Sequence, residues 1–117
     1  MQRKNDRILI YDKTDYLTKL VMHYCGNNTD LIFHNIQKKI KLDTIKVIDV
    51  AYIKSNNNND LKEILLINNH TKQIYINTES QRIENELKKF KNVTFFNIER
   101  DRFYIMTQIF NSVFELN

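Results

Sequence analysis

The residues able to do chemistry in this chain fall into three groups. Lys38, Lys39, Lys41 and Lys46 are cations spaced through one short segment, Asn56 to Asn59 are four consecutive carboxamides, and Glu99-Arg100-Asp101-Arg102 is a mixed charged run. Ammonium groups neutralise phosphates, a guanidinium reads guanine bidentately and a carboxamide pairs with adenine. Catalytic signals are weaker. His23, His34 and His70 have no ligand spacing among them, so they read as core-edge or surface histidines. Cys25 has no base near it in sequence and reads as a small buried apolar group. The carboxylate pairs Asp12/Asp15 and Asp43/Asp49 lack a glycine loop to form a cleft around them. Nothing here meets the requirements of an enzyme site, and no cofactor or metal is called for.

Composition narrows the classes further. The chain has 117 residues, 42% apolar and 27% charged, which suits one globular domain. It holds 16 Ile, 16 Asn and 13 Lys but one Gly and no Pro, so neither a P-loop nor a GxGxxG turn can be built. A lone cysteine excludes an intrachain disulfide framework and fits a reduced compartment. The N-terminal residues do not read as a signal peptide, and no apolar run approaches the roughly 18 residues of a membrane span. A soluble, cytoplasmic protein with no membrane partner is the expectation. Net charge is +4, and residues 1–54 carry 10 Lys/Arg against 6 Asp/Glu while 55–117 carry 8 against 8. A basic half suits an anionic partner.

Several elements must position these groups. Arg7 to Asp12 reads as a short strand, and Tyr16, Leu17, Leu20, Val21 and Tyr24 fall on a helical stripe that Asp15 could cap and Gly26 could stop. Leu31 to Ile36, then Ile40, Leu42 and Ile45 alternating with lysines, suggest a basic strand pair. Val47 to Ile53 is an apolar strand and Asn56 to Asp60 a loop. Lys62 to Ile67 and Gln73 to Ile76 flank Asn68-Asn69-His70-Thr71 as a β-hairpin. Thr78 and Gln81 form a capping box ahead of a helix over 79–90, with Ile83, Leu87 and Phe90 on one stripe. Val93 to Ile98 reads as a strand, and the apolar tail Phe103 to Phe114 as a last strand without clear period. The fold class predicted is α+β: a mainly antiparallel sheet with a helix at 79–90 and a second at 16–24, in one domain over 1–117.

This order resembles the LytTR family of bacterial DNA-binding domains over about 31–113. Ile48-Asp49-Val50-Ala51-Tyr52-Ile53-Lys54-Ser55 looks like its "D-I-x-Y-I-E-S" strand, and Ile83-Glu84-Asn85-Glu86-Leu87 resembles its "L-x-x-L-E-x-x-L" helix. Phe95 to Arg100 resembles "F-x-R-x-H-R", and Phe103 to Ile109 stands where the family writes "Y-I-V-N-x-x-x-I". Lys54, Asn97, Glu99 and Ile105 depart from those patterns, and residues 1–30 lie outside them as an N-terminal extension. The resemblance implies an elongated antiparallel fold and a small transcriptional regulator of bacterial or phage type. Its contacts with duplex DNA would fall on Asn56, Asn57, Asn58, Lys62 and Arg100, with Lys38, Lys39 and Arg102 beside phosphates.

Two other readings compete. A small phage- or plasmid-type protein that binds and inhibits a host protein, or a self-associating homodimer, fits the size and the missing catalytic signals equally well. A degenerate α/β domain of receiver or flavodoxin type is suggested by Arg7 to Asp12 before a helix, although no second acidic cluster stands beside Asp12. Salt separates the DNA-binding reading from the protein-binding one, because phosphate contacts weaken steeply with ionic strength and an apolar patch does not.

Overall fold

The computed structural model describes residues 2–3, 7–26, 30–42 and 47–115. Its chain order is β1 (Gln2–Arg3), β2 (Ile8–Asp12), α1 (Tyr16–Cys25), β3 (Leu31–Asn35) and β4 (Ile48–Lys54). A 3-10 turn at Asn58–Asp60 leads into α2 (Leu61–Asn69), then β5 (Thr71–Asn77), α3 (Gln81–Leu87), β6 (Val93–Phe95), α4 (Ile98–Val113) and β7 (Phe114–Glu115). Five strands form one sheet in the order β3-β2-β4-β5-β6, and every pairing in it is parallel. β1 and β7 pair separately and antiparallel.

The expected mainly antiparallel α+β fold with a helix at 79–90 and another at 16–24 is therefore corrected to a parallel α/β fold with four helices. The reason lies in the connections. Parallel neighbours need a crossover, and α1, α2 and α3 supply three of them. The hairpin expected from Lys62 to Ile67 is instead α2, whose buried Leu61, Ile64 and Ile67 recur every three residues. Ile64 to Ile67 is a short apolar run, and such a run fits a strand or a buried helix equally. Phe103 to Phe114 is likewise helix in all but its last residue. Ile98, Ile105, Met106, Ile109 and Val113 make its buried stripe, but the exposed Phe103 and Tyr104 between them blur the period.

Strand β2 is buried along its whole length, because it lies inside the sheet with helices over both faces. Its side chains divide by parity. Ile8 and Ile10 join Leu17, Val21, Tyr52, Ile105 and Ile109 under α1 and α4. Leu9 and Tyr11 join Ala51, Ile53, Ile64, Ile67, Ile74, Ile83 and Leu87 under α2 and α3. The sheet is thus wound on both sides, and the residues that the family resemblance left as an extension supply one of its inner strands, β2.

Other boundaries move by a few residues. The helix expected over 79–90 spans Gln81–Leu87, and its cap is Ser80, whose hydroxyl accepts from the Ile83 amide at 3.2 Å. Thr78 accepts from the Ser80 amide instead of closing a box with Gln81. Gly26 ends α1 as expected, with φ of 67° and its amide donating to the Met22 carbonyl. β6 stops at Phe95, since Asn97 caps α4 by accepting from the Glu99 and Arg100 amides. Of the basic strand pair, Leu31–Asn35 is a strand, Ile40 and Leu42 are not, and residues 43–46 lie outside the described residues.

Candidate functional site

A parallel sheet directs its strand carboxyl ends, and the loops that follow them, to one edge. Where neighbouring strands send their connections to opposite faces, those loops part and leave a crevice. Here that point lies between β2, which continues into α1 on one face, and β4, which continues into α2 on the other. In the order β3-β2-β4-β5-β6 this is the switch point common to receiver- and flavodoxin-type sheets. A crevice of about 570 Å³ opens there, lined by Lys13, Thr14, Lys54, Ser55, Asn56, Asn57, Asn58 and Asp60.

The carboxylates around it are occupied. Asp12, fully buried, accepts from the Thr14 amide (2.9 Å), the Thr14 hydroxyl (2.6 Å) and the Leu17 amide (2.5 Å). It does the capping that the sequence suggested for Asp15, which sits left-handed at φ 66° with no cap bond from its side chain. Asp60, also buried, pairs with Lys13 at 2.9 Å through one oxygen and accepts from the Ser55 hydroxyl at 2.7 Å through the other. Lys13 also reaches Glu63 at 2.9 Å. Desolvation of the Lys13 ammonium group is outweighed by these carboxylate partners, which raise its pKa.

Lys54 is different. Its Nζ lies 3.4 Å from the Thr14 hydroxyl and 5.8 Å from the centre of the Tyr16 ring, and it forms no ion pair among the described residues. The carboxamides of the loop present donors. Asn56 Oδ1 accepts from the Glu79 amide (2.7 Å) and Asn57 Oδ1 from the Asn59 amide (2.9 Å), while Asn58 Oδ1 accepts from the Ser80 hydroxyl. With their oxygens engaged, the three side-chain NH₂ groups remain as donors on this loop. One unpaired cation and several amide donors line the crevice, an arrangement suited to an anion.

The sequence-predicted site residues divide accordingly. Asn56, Asn57 and Asn58 are in the crevice. Lys38 and Lys39 are exposed in the segment that follows β3, where Asn35 Oδ1 accepts from the Gln37 and Lys38 amides. Lys62 is exposed on α2, and Arg102 on α4. Arg100 sits in a separate hollow with Thr78, Glu84, Phe95, Phe96 and Asn97. Its guanidinium grips Asp101 through two bonds of 2.9 Å, which pushes the Asp101 carboxyl down to about 2. Sequence reasoning passed over Lys13, Thr14, Lys54 and Ser55 as functional residues. The available signal was positional: Asp12 and Lys54 each end an apolar strand, and parallel pairing sets those ends together.

Among the described residues no group of three or more His, Cys, Asp or Glu could hold a metal ion, and no helix is long and apolar enough to cross a membrane. Comparison with family models, curated proteins and solved structures gives no match.

Proposed function

We propose that the chain is a non-catalytic binding module that holds a small phosphate-bearing ligand at the carboxyl ends of β2 and β4. The observation that carries this reading is the Lys54 ammonium group, standing in the crevice without a carboxylate partner among the described residues. A half-buried unpaired cation gains most from an anion, because the partial desolvation that weakens it alone strengthens its attraction to one. The amide groups of Asn56 to Asn58 and the Thr14 hydroxyl would complete the contacts. A volume near 570 Å³ lies in the range of small-ligand sites. Duplex DNA offers the same phosphate chemistry, but a concave site suits a small ligand better than a rod, and Arg100 is already bound to Asp101.

The test is a titration of the ¹⁵N-labelled chain with inorganic phosphate, a mononucleotide and random duplex DNA. The mononucleotide should shift the amides of Thr14 and Ser55 to Asn58 saturably, and more weakly as salt rises. Lys54→Met should reduce that affinity at least ~10-fold, the loss of one charge-assisted contact. Duplex binding that depends on Lys38 and Lys39 but ignores Lys54 would put the DNA-regulator reading in its place. No shift from any of the three at about 10 mM, the limit of useful affinity, would sink both.

A further inference from the structure

The helix that ends the sheet, α4, keeps two of its aromatic rings in water. Its stripe of Ile105, Met106, Ile109 and Val113 is buried against α1 and the sheet, but Phe103 is 82% exposed and Tyr104 67%. Tyr24, near the end of α1, is 50% exposed. Phe103 and Tyr24 belong to the wall of an apolar hollow of about 250 Å³, with Met106, Thr107, Phe110 and Asn111. From Phe103 to Phe114 the chain carries no charged residue. A projecting ring and a receptive hollow therefore lie side by side along a stretch of α4 without charge, with the exposed Arg102 at its start.

We propose that this α1–α4 face is a two-fold interface between two copies of the chain, with Phe103 of each copy seated in the hollow of the other. Three observations select a second copy as the occupant. First, a two-fold contact needs a surface complementary to itself, and this face supplies both the knob and the hole. Second, the sizes agree, since an apolar cavity of about 150 Å³ already admits a benzene ring. Third, the area is sufficient for a modest dimer. With aromatic side chains worth roughly 200 Å² each, the exposed parts of Phe103, Tyr104 and Tyr24 come to about 400 Å². Thr107, Asn111 and Phe110 around them bring the two-copy total near 1,000 Å², the lower end for specific interfaces. Absence of charge along this stretch of α4 also removes the like-charge repulsion that two identical surfaces otherwise meet.

This inference is independent of the crevice. Sedimentation equilibrium of the full chain, with reductant present, should show a monomer–dimer equilibrium with Kd of roughly 10–100 μM, the range for a small interface. Phe103→Arg should weaken it at least ~10-fold by placing a guanidinium in each hollow, while far-UV circular dichroism and Tm stay unchanged because the ring is exposed. Phe103→Leu, which keeps an apolar knob, should fall between the two. A chain that stays monomeric to about 500 μM overturns the proposal and leaves the face to a different protein. A Phe103→Arg dimer as tight as the original overturns it as well.

Discussion

Asp12 and Lys54 stand opposite each other in register on the neighbouring parallel strands β2 and β4, yet they form no ion pair. The carboxylate instead turns back into its own strand-to-helix turn, where two amides and a hydroxyl saturate it. The ammonium group is left to the crevice. One strand end thus builds structure and its neighbour offers charge, and the two should respond differently to replacement.

Replacing Asp12 by Ala should destabilise the chain by ~2–4 kcal/mol. The Thr14 and Leu17 amides would lose their side-chain acceptor at a helix start, and the Leu17 amide is buried away from water. Lys54→Met should change stability by under about 0.5 kcal/mol, as expected for a group with no ion pair to lose. Urea denaturation of the two variants measures the contrast.

What the sequence made legible follows from where each residue's partners lie. Tyr16 to Cys25 and Ile8 to Asp12 were readable because their stripe, glycine stop and apolar run are local. Strand direction was not, because the pairing of Ile10 with Phe33 and Tyr52 depends on crossovers, and α2 looked like a strand over Ile64 to Ile67. The motif-like strings around Lys54 and Phe95 belong here to parallel strand ends. At the candidate site the Asn loop was visible as polar sequence. Lys54 was visible only as a departure from a family pattern, since nothing local shows that Asp12 lies beside it.

Leu87, fully buried at the end of α3, packs in the cluster with Ile53, Ile74 and Ile83. Leu87→Ala should cost ~2–5 kcal/mol, from lost burial and the cavity left behind. A loss under about half a kcal/mol in chemical denaturation would show that α3 does not cover the sheet.

Cys25, the last residue of α1, is buried in the cluster that α1 forms with the sheet and α4, and that burial pushes its thiol up to about 11. The thiolate is the reactive form, so at pH 8 the folded chain should react with a disulfide reagent at least ~100-fold more slowly than the unfolded chain. Cys25→Ser should leave phosphate binding intact. Comparable rates before and after unfolding would place the thiol at the surface.

His34 gives the pH dependence a direction. It is almost fully buried, stacked on Tyr11 at 4.8 Å, and its Nδ1 accepts from the Ile40 amide at 3.4 Å. Its Nε2 lies 3.5 Å from Glu63. Burial holds its pKa below the ordinary 6.5; Glu63 and Asp60 oppose that shift, while Lys13 and Lys39 add to it. The unfolded chain therefore takes up a proton first as pH falls. Stability from this group is complete above pH 6.5 and declines as pH drops below it, until the folded histidine is protonated too. The slope contributed is at most ~1.4 kcal/mol per pH unit, the value for one proton. His34→Phe keeps a ring over Tyr11 but cannot titrate. Its urea midpoint between pH 7 and 5 should fall less than that of the unmodified chain; equal slopes would show that folding leaves the pKa of His34 unmoved, and a steeper fall in the variant would show His34 already charged, paired with Glu63, at neutral pH.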